Sequence, residues 1–123
     1  TWRSETRLAR MDATIYHNPR CTKSRQALAR LEEAGATVTV VKYLDQVPSK
    51  AELTKLIDDA GLTVRQAVRT REAEYKELGL ADATDDALLD AMVAHPVLVE
   101  RPFVVTDKGT RLARPLATLD EII

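Results

Sequence analysis

The sequence predicts a single α/β domain built around a mixed four-stranded sheet. Three observations predict it: a strand–helix–strand opening, a middle section of capped amphipathic helices, and a strand–turn–strand pair before the C-terminus. The chain has 123 residues, of which 45% are hydrophobic and 30% charged. Those values suit one globular domain with its own core and without a disulfide or structural metal. The expected order is therefore βαβ, a helical insertion, then ββα.

The βαβ opening comes from residues 13–43. Residues 13–16 predict a short strand, and a turn follows at 17–20. From Thr22 apolar residues recur on one helical face, and Gly35 is placed to end that helix. Residues 37–43 alternate β-branched side chains and predict a second strand. A right-handed crossover between parallel strands puts the helix start at the carboxyl end of the first strand, where open α/β sheets bind ligands.

Capping patterns predict the helices of the middle section. Ser49 and Glu52 have the spacing of a capping box, and Gly61 ends the helix that follows. Thr63 and Gln66 repeat the pattern for a shorter helix, and Thr84 can cap another that ends before Pro96. The residues expected to face the core are Leu53, Leu56, Ile57, Ala60, Leu88, Leu89 and Met92.

The C-terminal part predicts a hairpin and a closing helix. Residues 103–105 and 110–114 are expected to be antiparallel strands joined by a turn at 106–109. Leu116, Leu119 and Ile122 then recur at the spacing of one helical face. No internal repeat, linker or low-complexity tract divides the sequence.

The remaining features of the chain favour a cytoplasmic protein. Residues 1–10 lack an apolar segment of the secretory type, and we interpret them as a flexible extension or tag ahead of a start at Met11 and a domain over 11–123. No apolar run has the length of a membrane helix, so we expect no membrane partner. The net charge is −1, and no basic block predicts nucleic-acid binding.

The strongest candidate for chemistry is Cys21, the one cysteine of the sequence. It lies between a predicted strand and a predicted helix, among Arg20, Lys23 and Arg25. Unpaired N–H groups and the positive end of the helix dipole stabilise a thiolate there and lower its pKa. Free cysteine is also often a small buried hydrophobe, but this polar, basic loop favours a reactive thiol. His17 is close enough in sequence to form a hydrogen bond within the same turn.

The residues after Cys21 do not have the spacing of two familiar cysteine motifs. A cysteine phosphatase loop places arginine six positions after the cysteine, whereas this sequence has Ala27 there. A thioredoxin-type motif needs a second cysteine at position 24, which is Ser24. Because no disulfide can form within the chain, a two-electron reduction would take its second thiol from outside. Glutathione or a redoxin is therefore the expected partner.

Arginine is the residue type that best binds a tetrahedral oxyanion, because its rigid plane donates hydrogen bonds in pairs. Arg101 precedes Pro102 at the start of the third predicted strand and Arg114 ends the fourth, so the two lie at the same end of the sheet. Spacing alone leaves open whether that end faces Cys21. His95, just before Pro96, is interpreted as a helix-end residue, and no metal site is expected.

Several segments together resemble the glutaredoxin-linked arsenate reductases. The active-loop segment is Tyr16-His17-Asn18-Pro19-Arg20-Cys21-Thr22-Lys23-Ser24-Arg25. The resemblance continues at 43–44, 75–80 and 94–96, and is clearest again at 101–105 and 109–115. It extends from about Ala13 to the C-terminus. The loop differs from some family members in carrying Thr22-Lys23-Ser24 after the cysteine, and so resembles a less characterised branch.

The resemblance implies a thioredoxin-like fold with a helical insertion and reduction of arsenate to arsenite. It implies Cys21 as nucleophile, His17 as a residue that tunes it, and three oxyanion-binding arginines, Arg69, Arg101 and Arg114. It places Pro102 where thioredoxin-like folds carry a cis-proline. It further implies glutathione as co-substrate and glutaredoxin as partner, with no bound cofactor.

Two alternatives stay open at the level of sequence. Spx-type regulators share the fold and bind RNA polymerase without catalysis, although many carry a Cys-x-x-Cys switch that is absent here. A second alternative keeps the reactive thiol but changes the substrate, as in glutathione transfer. Co-purification with polymerase, or thiol exchange without arsenate reduction, would distinguish them.

Overall fold

The computed structural model describes residues 11–123, and the expected extension over residues 1–10 lies outside that range. Within it, the strands form one four-stranded sheet in the order β2-β1-β3-β4. The strands are β1 (Asp12–Tyr16), β2 (Thr37–Val41), β3 (Phe103–Thr106) and β4 (Gly109–Leu112). β1 runs parallel to β2 and antiparallel to β3, which is antiparallel to β4. The predicted mixed sheet is confirmed, although β2 and β4 each stop two residues early.

Five α-helices surround this sheet in the described part of the chain. They are α1 (Thr22–Glu33), α2 (Lys50–Asp59), α3 (Val64–Ala67), α4 (Ala73–Glu77) and α5 (Asp85–Ala94). Short 3-10 helices occupy Leu80–Asp82, Pro96–Leu98 and Leu116–Glu121. In residues 11–123, none of these helices has the length and apolar character needed to cross a bilayer.

Each face of the sheet is covered by its own apolar cluster. Ala13 and Ile15 of β1 pack with α1 and the C-terminal 3-10 helix, where Leu119 of that helix and Ile122 just after it are fully buried. The opposite face packs against the helical insertion between β2 and β3. Alternating side chains of a strand point to opposite faces, so one short sheet holds both layers together. The expected helical insertion between the βαβ and ββα halves is confirmed.

Three local features differ from the expectations. The closing segment Leu116–Glu121 is a 3-10 helix rather than an α-helix. At Ser49 only half of the capping box forms: its side chain accepts a hydrogen bond from the Glu52 N–H, while the Glu52 carboxylate accepts one from Tyr16 Oη at 2.7 Å. Helix α4 was not expected, since its residues bury no side chain and so lack an apolar stripe. The full capping box at Thr63 is present.

Candidate active site

The strand register brings four chain segments to one end of the sheet. Tyr16, the last residue of β1, pairs with Val41 at the end of β2 and with Phe103 at the start of β3. Phe103 in turn pairs with Leu112 at the end of β4. The loop holding Cys21, the segment after β2, the residues before β3 and those after β4 therefore meet at this end. This register answers the question that spacing left open, because Arg101 faces the same end as Cys21.

Cys21 is the N-cap residue of α1. Its backbone is extended, with φ −93° and ψ 121°, and its N–H donates to the Asn18 carbonyl at 3.0 Å. The thiol is partly exposed. The N–H groups of the first helical turn have no carbonyl partners within the helix, so they are free to stabilise a negative charge on the sulfur.

The pKa of the Cys21 thiol is lowered from its ordinary value. Burial, the largest single influence, raises it, but the Ser24 N–H, the Arg101 guanidinium and the Lys23 N–H together lower it by more. All three stabilise the thiolate, by hydrogen bonding or by charge. The site thus favours the nucleophilic form of the cysteine.

Arg101 holds a buried guanidinium with unused donors. Its Nε and Nη1 atoms are buried and have no hydrogen-bond partner among residues 11–123. The peptide bond from Arg101 to Pro102 is cis, as the resemblance implied, and so is that from Arg114 to Pro115. Buried N–H groups are rarely left without an acceptor, so these donors mark a place where an anion would be well bound.

Arg69 and Arg114 both pair with Glu100, the residue that precedes Arg101. Arg69 Nη1 lies 2.9 Å from Glu100 Oε1, and its Nε lies 3.1 Å from Glu72 Oε1. Arg114 Nη1 donates to the Arg101 carbonyl at 3.3 Å, and its Nε lies 4.0 Å from Glu100 Oε2. Two of Arg69's nitrogens are therefore engaged by carboxylates, whereas those of Arg101 are not. Of the three arginines singled out from sequence, Arg101 is the one that stabilises the Cys21 thiolate directly.

His17 contacts Ser24 rather than the cysteine. Its Nδ1 atom lies 2.7 Å from Ser24 Oγ, which also accepts a hydrogen bond from the Asn18 N–H at 3.0 Å. Burial, Lys42 and Arg25 lower the pKa of His17, so the imidazole is neutral near pH 7. The predicted hydrogen bond within the turn exists, but its partner is the serine in the first turn of α1.

Three contributors to the site were not singled out from sequence. Ser24 is fully buried under the loop, Glu100 pairs with two of the arginines, and Tyr43 buries a hydroxyl beside Arg101. Tyr43 is the last residue of the predicted second strand, and this position at a carboxyl end is a signal that could have found it. His95 ends α5, as expected. No cluster of potential metal ligands occurs among the described residues.

Fold and site together define a class of protein. A thioredoxin-like sheet carries one cysteine at a helix start, and a buried arginine with unpaired donors lies beside it. A family model described as the ArsC family matches residues 16–122. The chain belongs to the ArsC family.

Relatives and solved structures agree with that family. The chain is 52% identical over 115 residues to an arsenate reductase of Rhizobium meliloti (strain 1021), covering 92% of this chain and 82% of the relative. It is 47% identical over 112 residues to an arsenate reductase of Escherichia coli (strain K12), covering 89% and 79%. A solved arsenate reductase from Vibrio cholerae superposes with a TM-score of 0.87 at 47% identity, covering 92% of this chain and 98% of that one.

Proposed function

We propose that this protein reduces arsenate to arsenite, with Cys21 as the nucleophile and with glutathione and a glutaredoxin supplying the reducing thiols. The observation that carries the proposal is the pair of buried, unpartnered nitrogens of Arg101 beside a thiol whose pKa is lowered. A tetraoxoanion supplies the acceptors that these donors lack. The similarity to arsenate reductases over most of the chain supports arsenate as that anion.

Binding comes first. Arsenate lies between the start of α1 and Arg101, whose Nε and Nη1 donate to its oxygens. Arg69 and Arg114 lie at the same end of the sheet, where Glu72 and Glu100 hold Arg69 in a fixed orientation and offset much of the positive charge. Donors that are already in place need no rearrangement as negative charge develops, which is how preorganised sites stabilise a transition state.

Attack by the Cys21 thiolate on arsenic forms a sulfur–arsenic bond, and one arsenate hydroxyl leaves as hydroxide, which takes a proton from solvent to become water. A glutathione thiol then replaces a second oxygen, which also leaves as water. A glutaredoxin thiolate attacks the glutathione sulfur, and the electron pair of that sulfur–arsenic bond passes to arsenic, reducing it from As(V) to As(III). Water finally displaces Cys21, releasing arsenite and the free thiol. The two electrons come from glutathione and glutaredoxin, which leave as a mixed disulfide.

His17 acts on this chemistry through position rather than proton transfer. It is neutral and bonded to Ser24, whose backbone N–H stabilises the thiolate. We therefore assign it the role of holding Ser24, and with it the first turn of α1, against the sulfur.

A place for the attacking thiol lies next to the loop. A cavity of about 320 Å³ is lined by residues 17–20 together with Lys42, Leu44 and Asp45. Arg20 and Lys42 suit the carboxylates of glutathione, and Asp45 suits its ammonium group. This cavity is the proposed approach of glutathione to the adduct.

The test is an assay of the purified protein with arsenate, glutathione and glutaredoxin, in which arsenite is measured directly. Omitting either thiol source should abolish product, and Cys21→Ser should do the same while its circular dichroism matches the wild type. Arsenite formation by Cys21→Ser would exclude the mechanism. Glutathione transfer to a disulfide substrate without arsenate reduction would favour the other thiol-exchange activity.

A further inference from the structure

Three buried side-chain polar atoms among the described residues have no hydrogen-bond partner, and the hydroxyl oxygen of Tyr43 is one of them. Its side chain is 2% exposed and belongs to the apolar cluster beneath the helical insertion. The Arg101 guanidinium lies close enough to lower the pKa of this hydroxyl by charge and by hydrogen bonding, but no contact of the hydroxyl among residues 11–123 meets full hydrogen-bond geometry. Buried tyrosine hydroxyls usually have a partner. The two other atoms in this condition belong to Arg101, so all three gather at one place.

The groups around the Tyr43 hydroxyl explain why it has no acceptor. The positive charges of Arg101 and Arg69 and the charge of Cys21 all act on it, and Arg101 is influenced by Tyr43 and Cys21 in turn. A guanidinium has donors but no acceptor. The two guanidinium groups therefore offer the hydroxyl proton no acceptor, and besides the Cys21 sulfur an incoming anion is the group that would supply one.

We propose that Tyr43 is a further substrate-binding residue, whose hydroxyl donates a hydrogen bond to an oxygen of the oxyanion that Arg101 holds beside Cys21. This inference rests on the oxyanion binding in the proposed function, but not on the identity of the reducing thiols. Burial, together with the charge of Cys21, raises the pKa of Tyr43 more than the two arginines lower it. The phenol is therefore protonated at neutral pH and can act as a donor.

The ring alone would fill this part of the core equally well. A phenylalanine would bury the same apolar area without desolvating a hydroxyl that has no partner. Tyr43→Phe therefore tests the hydroxyl without creating a cavity. If the hydroxyl is merely structural, anion binding by Tyr43→Phe should be unchanged. If it binds substrate, the variant should bind the anion more weakly and keep its fold.

The experiment measures protection of Cys21 from alkylation by iodoacetamide as arsenate is added, without glutathione or glutaredoxin. We expect the arsenate concentration for half-protection to rise about tenfold in Tyr43→Phe, since a hydrogen bond to a charged group is lost. The KM for arsenate should rise more than kcat falls. The melting temperature should stay equal or increase.

Tyr16→Phe is the matched control. It removes the same atom from a tyrosine at the same end of the sheet, but that hydroxyl donates to Glu52. Half-protection in this control should match the wild type. Equal half-protection in Tyr43→Phe and wild type would overturn the proposal, as would an absence of protection in the wild type. It would also be overturned if Tyr43→Phe raised the alkylation pKa of Cys21 and left half-protection unchanged, because the hydroxyl would then serve the thiolate.

These measurements separate the two proposals. If the reductase assay fails while arsenate protection weakens in Tyr43→Phe, the binding role stands and the reaction does not. If the assay succeeds while protection is unaffected by the substitution, the reaction stands and the role of Tyr43 is wrong.

Discussion

The guanidinium of Arg101 stabilises the thiolate of Cys21 across 80 positions of sequence, while two of its own buried nitrogens keep no partner in residues 11–123. The contact exists because β1 and β3 are adjacent and antiparallel, which puts the residue before β3 next to the loop after β1. The Arg101 guanidinium thus stabilises the Cys21 thiolate and still has donors available for the proposed oxyanion substrate.

Arg101→Lys should lower kcat/KM for arsenate about 10- to 100-fold, because one ammonium group does not reproduce two donors in a fixed plane. Steady-state kinetics with saturating glutathione and glutaredoxin would measure it. Arg111→Lys is the control, since Arg111 lies on β4 and pairs with Glu121. Wild-type kinetics in Arg101→Lys would make Arg101 a structural residue.

The rate of Cys21 alkylation should reach half its maximum at a pH below the ordinary pKa of cysteine, because the folded protein stabilises the thiolate. Arg101→Gln should move that midpoint upward. The unfolded chain binds this proton more tightly than the folded one, so the free energy of unfolding gains a contribution as pH rises from the folded to the unfolded pKa. Cys21→Ser should lack this gain. A midpoint at or above the ordinary value would contradict the prediction.

His17 should titrate below its ordinary pKa of 6.5, because burial and the charges of Lys42 and Arg25 disfavour the imidazolium. NMR of the imidazole protons would give the midpoint. Since the unfolded chain protonates this histidine first, stability should fall as pH drops below the unfolded pKa and level off below the folded one. His17→Gln should remove that part of the pH dependence. An imidazole that is charged at pH 7 would contradict the lowered pKa of His17.

Glu100→Gln should destabilise the fold by about 1–3 kcal/mol, because it leaves a largely buried Arg69 with one carboxylate fewer. The side chains of Arg69 and Glu100 are only 12% and 19% exposed. Chemical denaturation would measure the loss. Glu121→Gln removes the partner of Arg111 at a 59% exposed carboxylate and should change stability by less than about 0.5 kcal/mol. An equal loss of unfolding free energy in the two variants would contradict the prediction that the Glu100 ion pair stabilises the fold more than the Glu121 pair.

Much of the fold could be predicted because its signals are local. The start of α1 at Thr22, its end at Gly35 and the cap at Thr84 depend on short-range backbone chemistry, and all three are confirmed. Helix α4 gave no such signal, since it buries nothing. Glu52 has the local signature of a capping box, but its carboxylate goes instead to Tyr16, a residue distant in sequence.

Some residues of the site could also be predicted from local sequence, and others could not. Sequence alone drew attention to Cys21, because a lone thiol at a strand-to-helix junction has a lowered pKa for local reasons. It drew attention to Arg101 and Arg114 as strand-end residues, but not to Arg69 without the family resemblance. It did not indicate that Arg69 is bound by Glu100, or that the Tyr43 hydroxyl is buried without a partner.

By itself, then, the sequence determined the order of strands and helices, the caps, and a basic loop around one thiol. The tertiary structure decided which end of the sheet faces that thiol, which arginine reaches it, and which donors stay unpaired. The physical reason is that capping and periodicity act over a few residues of one segment. The pairing of buried charges instead depends on strand register, and register is set by how both faces of the sheet are packed.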